Sequence, residues 1–402
     1  MSVIAAPGVD DARPLPSDTQ PSRLRGIDLA RTVAIVGMVA AHLNVRYVDD
    51  PWGDLGWVVT GRSSALFAVL AGLSIALVSG RHTPLTGEAL RSARISLAVR
   101  AVLLYLLGLA LGTQESGIAV ILPAYGAMFL LAVPFVHLRA RALLAWAVGW
   151  CLVAPWAGAP LREWVADPAS SIHTLPDHGG WMATTENLVL TGYYPIVFWF
   201  GYFLAGMFVG RLELSRTSTA RMIALGGIVL GTAAWALSRA VTSLTSVQQR
   251  MLDTWHGDPV ADFRALDLEA RHGLHGQAPA DWVWQFTMYP HASTMLDLLH
   301  TLGTSLTVIG LGLLLVAWWP RATTLWGVIG SIGMISLTAY TIHILVRTYY
   351  NASGDYGIEV FLVHLVAMWG VALPLWWLGR RGPLEAFVSR TCKGIAELVT
   401  RH

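Results

Sequence analysis

The chain has 402 residues, of which 54% are hydrophobic and only 13% are charged. Soluble domains carry roughly 25% charged residues, so this composition excludes an ordinary soluble globular protein. The net charge of +2 is too small to indicate a nucleic-acid partner, and the only two cysteines, Cys151 and Cys392, show no C-x-x-C metal-binding spacing.

Residues 1–22 are rich in Pro, Ser and Asp and lack the apolar core of a signal peptide, which predicts a disordered cytoplasmic tail. The following part, residues 23–380, contains apolar blocks of the length that crosses a bilayer. We expect an all-α, polytopic integral membrane helix bundle, with residues 381–402 as a cytoplasmic tail. Ten spans are predicted, over 28–47, 57–79, 94–112, 117–136, 140–158, 193–211, 220–240, 294–318, 325–348 and 357–379.

The connections between these spans alternate in charge. Arginine-rich connections, such as residues 80–94, alternate with acidic ones, such as the connection that contains Asp49, Asp50 and Asp54. The positive-inside rule then puts both termini in the cytoplasm. It also puts two long connections, near 159–192 and 241–293, outside. Their tryptophans and histidines indicate either a cap at the membrane interface or an acceptor-binding surface, and the sequence leaves both open.

The first span carries Asp28, Arg31 and His42 within an otherwise apolar segment. Residues 28 and 42 are about 21 Å apart along a helix and differ by only about 40° around its axis, so these side chains share one stripe. A charge that faces lipid at mid-membrane costs about 2.5–3.5 kcal/mol, so the stripe should face protein or a water-filled cavity. This pattern predicts a functional site, although Asp28 and Arg31 could simply neutralise each other.

Further polar side chains occupy the predicted outer halves of four other spans. They are Arg62, Asp297 with His300, the group Tyr340, His343 and Arg347 on one helix face, and His364. Each histidine could instead be an ordinary interfacial residue, and the two arginines could extend to the interface. The absence of HxH and HExxH spacings argues against zinc, and we expect no metal.

The segments RGIDLARTVAIVGMVAAH and GRSSALFAVLAGLSIAL resemble the opening of bacterial membrane proteins related to heparan-α-glucosaminide N-acetyltransferase. LTGYYPIVFWFGYFLAGMFVGRLEL and GSIGMISLTAYTIHILV resemble later segments of that group. The wider transmembrane acyltransferase superfamily also contains the acyltransferase-3 proteins. The resemblance implies transfer of an acyl group, usually acetyl from cytoplasmic acetyl-CoA, to a sugar.

It also implies an essential histidine near the outer end of the first span. His42 is the only histidine between Arg23 and Arg81. Its placement is closer to the acyltransferase-3 pattern than to that of the lysosomal enzyme, whose histidine lies beyond the first helix.

The resulting hypothesis is a membrane acyltransferase that uses acetyl-CoA or another acyl-CoA and a glycan or glycolipid acceptor. His42 would act as a general base or carry the acyl group itself, with Asp297 orienting a histidine and His343 in a catalytic role. The predicted acceptor-side residues are Arg62, Tyr340, His300 and Arg347. The predicted acyl-CoA-binding residues are Arg31, Arg91, Arg94 and Arg100, because arginine pairs well with phosphate.

We expect the protein in the bilayer of a bacterial cytoplasmic membrane, with a homodimer left open. Intramembrane ionisable residues serve proton coupling equally well, so a transporter or flippase for a lipid-linked or amphiphilic solute is the alternative. In that case His343 or Asp297 would relay protons. A membrane scaffold or sensor without catalysis is a third reading, in which no single polar residue is indispensable.

Overall fold

A computed structural model describes residues 24–43, 58–165, 180–271, 274, 278–351 and 357–400. The predicted tail at 1–22, the end of the first predicted span beyond residue 43, and the acidic residues at positions 49, 50 and 54 lie outside these ranges.

The described residues form α-helices joined by short turns, with no β-strand among them. The α-helices are α1 Arg25–His42, α2 Arg62–Val78, α3 Gly87–Gly112, α4 Leu122–Ala132, α5 Ala140–Glu163, α6 Gly180–Glu186, α7 Ile196–Gly210, α8 Thr217–Thr242, α9 Thr245–Asp253, α10 Phe263–Arg271, α11 Met295–Trp318, α12 Thr323–Met334, α13 Ser336–Asn351, α14 Ile358–Trp377 and α15 Pro383–Thr400. Two 3-10 helices, Val133–His137 and Trp282–Phe286, and one π-helix, Asn187–Thr191, complete the set. The all-α prediction is confirmed.

Each of the ten predicted spans contains a helix. Within the described ranges, five helices are long and apolar enough to cross a membrane alone, namely α3, α5, α8, α11 and α14. The count rises to seven if each of two bent pairs is one span: Gly180–Thr191 with α7, bent by 50°, and α12 with α13, bent by 65°. Helix α2 and the segment Leu122–His137 are apolar but shorter. The protein is therefore a multi-pass helical membrane protein, and ten spans stays a prediction.

Helix α1 lies at the centre of the bundle, in contact with α2, α11, α12, α13 and α14. The Thr32 hydroxyl makes two contacts across the α1–α12 interface: it donates to the Ile329 carbonyl (3.0 Å) and accepts from the Gly333 amide (3.0 Å). Gly333 packs directly on the Asp28 carbonyl, so a Cβ there would overlap with the backbone of α1. This interface holds α1 close to the break between α12 and α13.

Small residues allow the other close helix contacts. Gly227 and Gly231 of α8 pack against α11 around Gly303, and Gly206 of α7 packs on the backbone of α2. Such contacts between small residues are characteristic of helices packed within a membrane, where lipid gives no hydrophobic drive toward association. The GxxxG spacings of α7 and α8 thus lie at helix interfaces.

The span predicted over 325–348 is broken at Ile335, so α13 begins inside the protein with unpaired backbone amides. Glu385, in the first turn of α15, bonds to two of these amides: its Oε1 accepts from Leu337 N (2.7 Å) and Thr338 N (3.1 Å). Its Oε2 accepts from the Thr338 hydroxyl (2.7 Å). The segment predicted as a tail therefore contains a helix that caps α13.

The connection predicted as a long outer loop near 241–293 has a small core of its own. Trp284 is completely buried there beside Met251, Leu266 and Val283, and its indole donates to the Thr254 hydroxyl (2.9 Å). Helices α9 and α10 and the second 3-10 helix surround this core.

Candidate active site

His42 and His343 are joined by a hydrogen bond between His42 Nδ1 and His343 Nε2, 2.8 Å long. The two rings are parallel to within 2°, and their centroids are 5.1 Å apart. This centroid distance exceeds the N–N distance by about one ring width, so the rings are nearly coplanar and meet edge to edge rather than face to face. His343 is 1% exposed, whereas His42 is half-buried. The last residue of α1 thus meets the middle of α13.

A third histidine, His364 of α14, continues this row. Its ring centroid is 5.0 Å from that of His343, and it is completely buried. His364 Nδ1 lies 2.7 Å from the Val360 carbonyl, which only accepts, so Nδ1 carries the proton and Nε2 has the lone pair. His343 Nδ1 and His364 Nε2 are buried and have no hydrogen bond in the described structure.

Two pairs of tautomers are compatible with the hydrogen bond between His42 and His343, because either ring can be the donor. If His343 carries its proton on Nδ1, its Nε2 accepts from the Nδ1–H of His42. The remaining nitrogen of His42, Nε2, then holds a lone pair. It has no hydrogen bond and is not enclosed by the described residues. In this pair of tautomers one imidazole nitrogen is basic and accessible, which is what a general base requires.

The other two predicted residues of α13 are also buried. Tyr340 is 1% exposed, and its hydroxyl accepts a hydrogen bond from Ile121 N (3.3 Å). Arg347 is 4% exposed and donates to Asn351 Oδ1 (3.2 Å), at the end of α13. Both residues pack beside the histidine row.

Arg62 and His300 form a second pair. Arg62 Nε lies 3.4 Å from His300 Nε2, and His300 Nδ1 lies 3.1 Å from the Gly231 carbonyl. Because that carbonyl fixes the His300 proton on Nδ1, Nε2 is free to accept from Arg62. The neighbour of Arg62, Ser63, packs on Gly37 of α1, five residues before His42. No hydrogen bond joins this pair to the histidine row in the described structure.

Asp297 does not orient a histidine in the described structure, and that part of the hypothesis needs correction. Its Oδ2 accepts instead from Ser293 N (3.0 Å), in a turn where His291 and Ser293 both have positive φ angles of 57° and 55°. The carboxylate is 5% exposed and supports the N-terminus of α11. Asp297 lies one turn before His300, and this spacing indicates a catalytic role. In the structure its carboxylate instead accepts a hydrogen bond from the backbone.

At the opposite end of α1, Arg31 is only 22% exposed at its side chain. Its Nη1 pairs with Asp28 Oδ1 (3.2 Å) and its Nη2 donates to the Ser74 hydroxyl (2.7 Å). The mutual neutralisation of Asp28 and Arg31, considered above as an alternative, is therefore real. It leaves Arg31 held between α1 and α2.

The three predicted arginines of α3 do not share one face. Arg91 and Arg94 are about 60° apart around the helix, whereas Arg100 is about 180° from Arg91. Arg91 is exposed, and Arg94 Nη2 lies 3.5 Å from His137 Nδ1. Arg100 instead lies against the Cys392 thiol of α15, and burial raises the pKa of that thiol although Arg100 opposes the shift.

Two residues of this region were not among the predicted site residues. His364 is predicted in the outer half of its span, and its contact with His343 depends on how α13 and α14 pack, which no spacing shows. Glu385 lies in a polar stretch that looks like an ordinary tail. Its only signal is its place in an amphipathic helix that directly follows the last span.

The fold and these contacts define a polytopic helical membrane protein with a histidine pair at its central helix. A family model described as heparan-alpha-glucosaminide N-acetyltransferase, catalytic, matches residues 23–241, more than half of the chain. The chain belongs to this family of membrane acetyltransferases. No curated protein matches it. The matched region contains His42 and Arg62, whereas His300, His343, His364 and Glu385 lie beyond it.

Proposed function

We propose that the protein transfers an acyl group, most simply acetyl, from acyl-CoA to a hydroxyl or amine of a glycan or glycolipid acceptor. The observation that supports this most directly is the bond between His42 Nδ1 and His343 Nε2, which leaves His42 Nε2 open to a substrate. Family membership supports acyl transfer in general. The donor, the acceptor and the catalytic residues are our proposal.

His42 acts as the general base in this proposal. Its Nε2 takes the proton from the acceptor as the acceptor oxygen or nitrogen bonds to the thioester carbonyl carbon. The carbon–sulfur bond then breaks, and the proton on His42 passes to the departing CoA sulfur. His343 Nε2 accepts the hydrogen bond from His42 Nδ1–H throughout. This bond fixes the tautomer of His42 and stabilises its protonated form.

Arginines along α1 and α3 suit the donor. Arg91 and Arg94 lie on one side of α3, and their guanidinium groups match phosphate oxygens. Arg31 lies on the stripe of α1 that leads toward His42, where we propose that the pantetheine arm passes. Arg100 is turned toward α15, so we leave it out of this set. By the positive-inside rule this end of the bundle is cytoplasmic.

We assign the acceptor to the other end, near His42 and the Arg62–His300 pair. Arg62 is held by His300 and by the Val58 carbonyl (3.3 Å), so its guanidinium has a defined direction. A cation in a fixed orientation near the reacting carbonyl can orient an acceptor hydroxyl or stabilise the oxyanion that forms.

The test uses purified protein in detergent with radiolabelled acetyl-CoA and D-glucosamine as the probe acceptor. We expect saturable acetyl-CoA binding and release of CoA thiol that requires His42. The transporter alternative predicts the opposite pattern in proteoliposomes: uptake driven by a pH gradient and no acetyl-CoA binding. That pattern would overturn the proposal.

A further inference from the structure

Arg162, in the last turn of α5, is a buried cation whose charge no group among the described residues neutralises. The residue is 7% exposed. Its Nε and Nη1 are buried and make no hydrogen bond, and no salt bridge to Arg162 occurs in the described part of the chain. Nη2 makes none either, and it alone is not enclosed by protein.

The ring of Phe198, on α7, holds this guanidinium in place. The guanidinium carbon lies 4.2 Å from the ring centroid, in the geometry of a cation–π contact. Phe198 is completely buried, and its ring fills the space beside Gly158, where a Cβ would overlap with it. One face of the guanidinium is therefore covered, and of its three nitrogens only Nη2 is open to a ligand.

Arg211 shows how this chain satisfies a buried guanidinium that has only a structural role. It is 3% exposed, and its nitrogens donate to five backbone carbonyls and to the Ser79 hydroxyl. Arg162 has no such partner. Buried charges without compensation are strongly unfavourable, and the negative end of the α5 dipole and one aromatic face compensate only in part.

We propose that Arg162 and Phe198 form a binding site for a tetrahedral oxyanion, a phosphate or sulfate group. An arginine N–H donates a strong, charge-assisted hydrogen bond to such an oxygen, here from Nη2, and the face of the guanidinium stacks on aromatic rings. The site lies on α5 and α7, apart from the histidines on α1, α13 and α14. It does not depend on the acyl-transfer proposal.

The depth of Arg162 suits an anion at the membrane surface. Two residues later, Trp164 is 86% exposed at the end of a helix long enough to cross the membrane. Tryptophan in that position is typical of the headgroup region. The same oxyanion chemistry could come from a phospholipid headgroup or from a free anion or anionic glycan, and the experiment separates these sources.

The experiment titrates the full-length protein in detergent with two probes: dioleoyl phosphatidylglycerol, followed by native mass spectrometry, and sodium phosphate at constant ionic strength, followed by the apparent Tm. We expect Arg162→Met to weaken binding by about tenfold or more, the size of one lost hydrogen bond to a charged group. The matched control is Arg239→Met, an exposed arginine in the last turn of α8, which should bind as the wild type does.

Binding of the lipid alone assigns the site to a headgroup, and binding of phosphate assigns it to a free or glycan anion. If neither probe binds the wild type, or if both variants bind equally, the site does not exist. Should Arg162→Met fail to fold, Arg162→Lys gives a second test. Lysine keeps the charge but loses the planar guanidinium and its stacking on Phe198. Arg162→Lys should therefore bind the probe more weakly than the wild type does.

Discussion

The Nδ1 atom of His42 and the Nε2 atom of His343 lie 2.8 Å apart, in rings that are nearly coplanar, although the residues are 301 positions apart in the chain. Because one nitrogen of each ring belongs to this bond, the protonation of the two histidines is linked. His343 acts on the substrate only through His42, so we regard it as a positioning residue.

Replacement of His343 should slow turnover without weakening acetyl-CoA binding. We expect His343→Ala to lower kcat by about ten- to hundredfold, since a hydrogen bond to a charged group contributes about 1.5–3 kcal/mol. His343→Gln should recover part of the loss, because the glutamine carbonyl can accept from His42 Nδ1–H. A purely structural role would make both variants lose stability, so the apparent Tm is measured beside kcat and KM. Equal kcat values for both variants and the wild type would contradict the positioning role.

Glu385 should control the position of α13. Glu385→Ala leaves two amides at the start of α13 without acceptors, and loss of a helix cap costs about 0.5–2 kcal/mol. We expect a lower apparent Tm and a lower kcat. Glu385→Gln keeps one acceptor oxygen, so its apparent Tm and kcat should lie between those of the wild type and of Glu385→Ala.

The matched control for this cap is Glu397→Ala, on the exposed side of the same helix. It should change neither quantity. If Glu385→Ala and Glu397→Ala behave alike, α15 does not hold the start of α13.

The contact between α1 and α12 predicts that alanine substitutions at two glycines change the stability of the protein differently. Gly333→Ala places a Cβ against the Asp28 carbonyl, and such overpacking costs about 1–3 kcal/mol. Gly149→Ala, in α5, has open space around it and should be neutral or slightly stabilising, because alanine favours helices. Thermal unfolding in detergent measures both. An unchanged Tm for Gly333→Ala would show that α1 and α12 are further apart than the structure places them.

The connection near 241–293 should lose stability in acid. Burial alone would raise the pKa of Asp281, but the hydrogen bonds from Arg250 and from Val283 N hold it below its ordinary value. A carboxylate with a lowered pKa contributes stability that is complete above its unfolded pKa of about 3.9 and is lost as the pH falls through the lower folded value.

The measurement is the indole N–H resonance of the buried Trp284, in protein labelled with nitrogen-15 tryptophan, between pH 7 and pH 3. We expect exposure of Trp284 to begin at a higher pH in Asp281→Asn than in the wild type. Glu269→Gln, at an exposed acidic residue of α10 in the same connection, is the control and should match the wild type. Coincident curves for Asp281→Asn and the wild type would contradict the role of this carboxylate.

Much of the fold could be predicted because lipid imposes simple rules on sequence. Apolar blocks of about 20 residues gave the helices, and the stripe of α1 correctly indicated a polar interior around His42. The break at Ile335 was missed because both halves are apolar, and hydropathy does not show where a helix bends. Within the described chain, Asp297 contacts backbone and not a histidine, because a local turn binds its carboxylate first. Pairings such as His42 with His343 depend on packing between distant helices. The sequence therefore indicated both histidines as site residues but not the hydrogen bond between them.

The proposed mechanism requires that His42 Nε2 takes the acceptor proton. The most direct measurement compares His42→Ala with His82→Ala, an exposed histidine in the turn after α2, in acetyl transfer from acetyl-CoA. We expect His42→Ala to keep its acetyl-CoA Kd and its apparent Tm but to lose about 10²–10⁴-fold in kcat, the range of general base catalysis. His82→Ala should match the wild type. A folded His42→Ala protein that turns over at the wild-type rate would contradict the claim.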